Sequence, residues 1–133
     1  MNAPRRVTIR AECDIVTARQ HGREIAVAVG FTGSSITVIA TAISEIARNI
    51  VTYAGEGEIS IAPVASGVMH GVEVIATDRG PGIADVDRAL EDGFSTGRGL
   101  GLGLPGARRL MDDFELASEL GKGTTVRMRK WLR

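Results

Sequence analysis

The chain has 133 residues, 44% of them hydrophobic, which is enough for one compact domain with a real core and no disulfide or metal staples. Lys+Arg and Asp+Glu number 16 each, and a formal net charge of zero argues against a broad electrostatic footprint for nucleic acid. The one cysteine, Cys13, makes no internal disulfide, Cys and His show no metal-ligand spacing, and the apolar stretches are too short to span a bilayer. His21 and His70 read as ordinary surface or packing residues. No apolar signal core follows Arg5 and Arg6, so a cytoplasmic chain without membrane or nucleic-acid partners is expected.

Residues 5–11 alternate and predict a first strand. Asp14 is placed to cap a helix from about Ile15 to Val29, with Ile15, Ala18, Ile25 and Val29 among its apolar positions. Gly30 and Gly33 break it, and Phe31 is expected in the core. Ser34 or Ser35 is the candidate cap of a second helix, about Ile36 to Ala54. Its stripe of Ile36, Ile39, Ala40, Ile43, Ile46, Ala47, Ile50 and Tyr53 has core-facing spacing. Thr41, Glu45, Arg48, Asn49 and Thr52 fall on the opposite side. Such residues are usually just solvated, but Glu45 and Asn49, four apart, are surface neighbours.

Gly55-Glu-Gly57 is a turn into a strand from Glu58 to Val64, where Pro63 suggests an edge or a bulge. Ser66-Gly67 turns into a second strand, Val68 to Thr77, so a hairpin is expected. A loop follows over residues 79–99, with a short helix at Asp85–Leu90. Pro105 to Met111 is a third helix. Phe114 to Leu120 and Thr124 to Leu132 form a closing hairpin around Gly121-Lys-Gly123. The order β-α-α-β-β-loop-α-β-β implies an α/β fold, a two-layer sandwich whose mixed, mostly antiparallel sheet is covered by helices on one face.

Residues 78–104 carry the strongest chemical signal. Glycine occurs at 80, 82, 97, 99, 101 and 103, a density that opposes regular structure. A bare glycine-rich loop is often only a flexible surface loop. Here Asp78 ends an apolar strand and enters the first glycine cluster, while the second cluster, Gly99-Leu-Gly-Leu-Gly-Leu104, runs into a helix. Glycines at a helix start let backbone N–H groups approach an anion, aided by the helix dipole. A hydrogen-bonding carboxylate beside a phosphate cradle describes a nucleotide site. The Gly-Lys-Ser/Thr ending of a P-loop is absent, and no βαβ unit supports a dinucleotide fold.

Four motifs stand in a fixed order: Glu45-Ile-Ala-Arg-Asn49, Asp78-Arg-Gly-Pro-Gly82, Gly99-Leu-Gly-Leu-Gly103 and Gly121-Lys-Gly-Thr-Thr125. In this order they resemble the N box, glycine motifs and final Gly-x-Gly-Thr of the gyrase, Hsp90, histidine-kinase and MutL (GHKL) ATP-binding superfamily. Within it the chain is similar to the anti-sigma-factor serine kinases, and most to the RsbT-type switch kinases of the bacterial stressosome. Asp14-Ile-Val, Ile43-Ser-Glu-Ile-Ala-Arg-Asn49, Glu91-Asp-Gly-Phe-Ser-Thr96, Arg109-Leu-Met-Asp112 and Lys130-Trp-Leu-Arg133 carry that likeness.

The resemblance implies a single GHKL-type (Bergerat) ATP-binding kinase domain over residues 1–133, using ATP and Mg²⁺. It implies Glu45 as the general base toward a substrate hydroxyl and Asn49 as the Mg²⁺ ligand. Asp78 would accept from the adenine amino group, in a motif whose glycines are Gly80 and Gly82. Gly82 would let the backbone pass the base, and Thr124 would support the same contact. Gly99 opens the cradle, and the amides of Gly101, Leu102, Gly103 and Leu104 would hold the phosphates. The segment from about Asp85 to Gly99 would be a lid that orders on ATP. Implied substrates are STAS-domain stressosome proteins of the RsbS and RsbR type. Once released, the kinase would activate a PP2C-type phosphatase of the RsbU type. Three other readings are an anti-sigma factor that sequesters a sigma factor with ATP as a switch, a detached histidine-kinase catalytic domain, and an ATP-binding module without transfer activity. The histidine-kinase reading lacks a dimerising phospho-acceptor helix pair, and intact Glu45 and Asn49 oppose the last.

Overall fold

A computed structural model describes residues 4–82 and 103–133. The expected helix at Asp85–Leu90, the Asp85–Gly99 lid, and Gly99, Gly101 and Leu102 lie outside the described residues. The chain runs β1 (Arg5–Ile9), α1 (Glu12–Val29), α2 (Ser34–Asn49) continued by a π-helical turn (Ile50–Ala54), β2 (Gly57–Ser66) and β3 (Met69–Asp78). After the undescribed segment come α3 (Gly103–Leu110), β4 (Asp113–Glu119) and β5 (Gly123–Trp131).

The described strands form one sheet in the order β1-β2-β3-β5-β4, and every neighbouring pair is antiparallel. Alternation along each strand sends one set of side chains to the core. Val7, Ile9, Ile59, Ile61, Val72, Val74, Ala76, Val126 and Met128 are all buried. They share one core with Ile15, Ala18 and Ile25 of α1, Ile39, Ile43 and Ile46 of α2, and Leu104 and Ala107 of α3. Each fully buried isoleucine contributes about 1.5–3 kcal/mol from lost water contact. The alternate positions form a charged outer face. There Arg129 Nε reaches Glu73 at 2.7 Å, and Arg127 lies 3.9 Å from both Glu73 and Glu115. The two-layer sandwich read from the sequence is therefore the observed architecture.

Helix α2 is the keystone. It packs against α1, α3 and the sheet-side core, and Gly22 of α1 exists to let Ile43 in, because a Cβ there would collide with the Ile43 side chain. Three local expectations are corrected. Asp14 is not the cap of α1 but its third residue, reaching back so that Oδ2 accepts from the Arg10 and Ala11 N–H groups at 2.8 and 3.0 Å. Neither Ser34 nor Ser35 caps α2. Gly33 takes that place at φ 58°, a left-handed conformation that glycine adopts without strain. Tyr53 is 46% exposed rather than core-facing, because the chain from Ile50 winds as a wider π turn that breaks the 3.6-residue stripe. Pro63 stands in regular register opposite Val72, without a bulge. Among the described residues Ile61 is the last of β2 that pairs with β1, so Pro63 lies beyond that pairing, where a missing N–H is tolerated.

Candidate functional site

The polar side of α2 carries the first groups. Glu45 and Asn49 are both half-buried and stand one turn apart, about 6 Å along the axis. Glu45 Oε1 accepts a hydrogen bond from the Gly103 backbone N–H at 3.1 Å, and Oε2 lies 3.4 Å from Arg48 Nη1. Gly103 is the first residue of α3. The first N–H groups of a helix have no partner inside it, and the dipole adds roughly half a positive charge there. An anionic oxygen thus already fits this helix start, contributed by the protein itself. Leu104 is buried in the core, so it can offer a ligand only its backbone N–H.

Asn49 is the last residue of α2, and the π turn begins directly after it. The Gly55 N–H closes that turn by donating to the Ile50 carbonyl at 2.8 Å. Single π turns inside helices are frequent at functional sites. This one keeps Ile50 buried and brings Ala54 against the first glycine motif, where a Cβ on Gly80 would lie 2.7 Å from Ala54 Cβ. The helix that carries Glu45 and Asn49 is in this way docked onto the Asp78 motif.

Asp78 ends β3, half-buried, with Gly57 of β2 and Thr124 of β5 as its cross-strand neighbours. The Gly80 N–H donates to Asp78 Oδ1 at 2.8 Å and holds the carboxylate at the strand end. Gly123, at φ 116°, passes so close beneath it that a Cβ would lie 2.8 Å from Arg79 Cα and overlap the Asp78 carbonyl. Thr124 is buried, its Oγ1 2.8 Å from Ser118 Oγ, and Ser118 also donates to the Gly123 carbonyl at 3.1 Å. At Gly82, φ 80°, a Cβ would sit 2.8 Å from the Glu119 carbonyl carbon, and the Gly121 N–H donates to the Pro81 carbonyl at 2.9 Å. Glycine at 82 is thus demanded by its positive φ and by the close approach of the β4–β5 turn.

Among the described residues the structure brings Asp78, Gly80, Gly82 and Thr124 into one constellation and Glu45, Gly103 and Leu104 into another. The α2 end, through Asn49 and Ala54, connects them. The sequence reading missed Gly57, Ala54 and Ser118. Gly57 is required because a Cβ would lie 2.7 Å from the Thr77 carbonyl and 3.1 Å from Asp78 Cβ. Ser118 is set opposite Thr124 by the β4–β5 register, which only the structure shows. No group of three or more His, Cys, Asp or Glu side chains among the described residues can hold a metal. Asn49, half-buried at the end of α2, carries a side-chain oxygen of the kind a hard cation takes when phosphate and water supply its other ligands. No helix of the described residues is long and apolar enough to cross a membrane.

The sequence profile of the histidine kinase-like ATPase domain matches residues 8–130. The serine/threonine-protein kinase RsbT of Bacillus subtilis (strain 168) is 53% identical over 133 residues, 100% of both chains. An anti-sigma F factor of Caldanaerobacter subterraneus subsp. tengcongensis is 36% identical over 103 residues, covering 73% of this chain and 71% of that protein. Among solved structures, the mycobacterial sensor histidine kinase MprB superimposes with a TM-score of 0.57 at 14% identity, covering 98% of this chain and 97% of that one, a likeness of fold alone. The chain belongs to the histidine kinase-like ATPase family and, within it, to the RsbT-type serine/threonine protein kinases.

Proposed function

We propose that this kinase transfers the γ-phosphate of ATP to a serine or threonine of STAS-domain stressosome proteins of the RsbS and RsbR type. Released by that phosphorylation, it activates a PP2C-type phosphatase of the RsbU type, or another output protein, in a cytoplasmic partner-switching stress pathway. The observation that carries the reading is the Glu45 carboxylate, 3.1 Å from the first amide of the helix that follows the glycine cluster. A base is useful only beside the phosphoryl group being transferred, and that helix start is where phosphates are best held.

In this reading residues 1–133 act as one ATP-binding kinase domain. Asp78 accepts from the adenine amino group, fixed for that by Gly80. Gly82 and Thr124 shape the same pocket. Gly99 and the amides of Gly101, Leu102, Gly103 and Leu104 hold the phosphates, and Asn49 offers its side-chain oxygen to Mg²⁺. Bound Mg-ATP supplies the phosphoryl group and neutralises its developing charge. Glu45 takes the proton of the substrate hydroxyl as that oxygen bonds to phosphorus, and the bond to the departing ADP oxygen breaks. Such a transfer needs positioning and charge more than covalent help.

The test is incubation with Mg-ATP and a candidate STAS-domain protein, with mass spectrometry locating phosphate on the partner. Phosphoserine or phosphothreonine with the wild type, and almost none with Glu45→Gln while ATP still binds, is the expected result. Bound ATP with no transfer to any STAS partner would sink it. The similarity to anti-sigma F factors favours a second reading, a factor that sequesters a sigma factor with ATP as its switch. Capture of a sigma factor in place of a phosphatase would select it.

A further inference from the structure

We propose that the Gly103 amide is a shared donor, engaged by Glu45 until a nucleotide phosphate claims it, so that phosphate binding releases the base. This deepens the kinase reading and rests on it. The geometry is direct. Gly103 opens α3, so its N–H has no acceptor within the helix. Its acceptor is Glu45 Oε1 at 3.1 Å, 58 residues away in sequence. One N–H makes one good hydrogen bond, so a phosphate oxygen on this amide displaces the carboxylate. Two anions at one helix start also repel each other.

Arg48 determines where the displaced carboxylate stays. Its Nη1 lies 3.4 Å from Glu45 Oε2, the oxygen that Gly103 does not engage, and it belongs to the same helix turn. When the amide is lost, this second donor keeps Glu45 beside the site. The carboxylate then gives up the 3.1 Å hydrogen bond and keeps only the longer 3.4 Å contact, and its free lone pairs can take a substrate proton. A base tied up by the cradle without phosphate, and loosened by phosphate, limits its use to the loaded enzyme.

The experiment uses the full chain and measures binding of Mg-AMPPNP and of adenosine by calorimetry, for the wild type, Glu45→Gln and Glu45→Ala. Glu45→Ala frees the amide and is expected to bind Mg-AMPPNP about tenfold tighter, with adenosine unchanged. Glu45→Gln keeps a neutral acceptor and should gain clearly less. Equal gains for both variants would mean simple charge repulsion and overturn the shared donor. So would unchanged Mg-AMPPNP affinity in Glu45→Ala, which leaves the kinase reading standing. Failure of the wild type to bind Mg-AMPPNP at all would remove the kinase reading and this inference with it. A direct check is amide exchange at Gly103 by NMR. The proposal expects protection in the wild type, loss of it in Glu45→Ala and recovery on adding Mg-AMPPNP. Full protection in Glu45→Ala without nucleotide would refute it.

Discussion

The two ends of strand β3 use the same device for different purposes. At the Gly71 end, the backbone of β5 comes so near that a Cβ would overlap the Lys130 carbonyl and sit 3.0 Å from the Trp131 ring. What gathers there is structural: the Leu132 N–H donates to the His70 carbonyl at 2.8 Å, beside a cavity of about 220 Å³ lined by Ala28, Val29, Pro63, Val64, His70 and Gly71. At the Asp78 end, Gly123 makes an equally close approach, but the residues it brings in are polar: Asp78, Thr124 and Ser118. A glycine that admits a neighbouring backbone is thus no sign of function by itself. Function depends on what the approach aims into the open end of the sheet.

The sharpest way to exploit that contrast begins with chemistry. Glu45→Gln should lower phosphoryl transfer about 10²-fold or more, the usual contribution of a general base, while nucleotide still binds. Labelled phosphate transferred from ATP to the partner measures it. Next come paired glycine substitutions. Gly71→Ala and Gly123→Ala should each cost roughly 1–3 kcal/mol in urea unfolding, because both force backbone shifts. Only Gly123→Ala should also weaken Mg-nucleotide binding, by about tenfold, since Asp78 and Thr124 move with it. Equal losses of nucleotide affinity would erase the distinction between the two ends. Ser118→Ala should cost about 1 kcal/mol, one half-buried hydrogen-bonding hydroxyl, with its effect on nucleotide smaller than that of Gly123→Ala.

The smallest effect belongs to the C-terminal clasp. Asp112 Oδ2 accepts from the Trp131 N–H at 2.8 Å, and Oδ1 faces Arg133 at 3.1 Å and Lys130 at 3.7 Å. Burial alone would raise its pKa, but the Trp131 amide, Arg133 and Lys130 outweigh it and hold the carboxyl below its ordinary value. A pKa depressed by folding contributes stability above the unfolded value, about 3.9, and loses it as pH falls through the folded value. The stability gap between wild type and Asp112→Asn should therefore be present at neutral pH and shrink below about pH 4. Lys130 also donates to the Leu110 carbonyl at 3.1 Å, placing a cation at the end of α3 as the helix dipole favours.

Much of this molecule was legible from local pattern. The stripe from Ile36 to Ile50 named the keystone helix and put Glu45 and Asn49 on its polar side, because a 3.6-residue period leaves few alternatives. The same period misled at Tyr53, where a π turn widens the helix. Propensity carries no signal for that, since docking of Ala54 on Gly80 is a tertiary contact. Asp14 and Gly33 show the same limit at caps, where a change of one or two residues in the helix start alters which group does the work.

By itself the sequence determined the order of the described elements and the core-facing stripe of α2, both set by short-range period and composition, while the four motifs stood out by their resemblance to a known family. Only the tertiary structure decided which motif touches which. It set Glu45 on the Gly103 amide, Gly82 against the β4–β5 turn and Ser118 beside Thr124. The first two contacts join residues far apart in the chain and the third crosses a hairpin, and it is helix docking and strand register, not any local pattern, that bring each pair together.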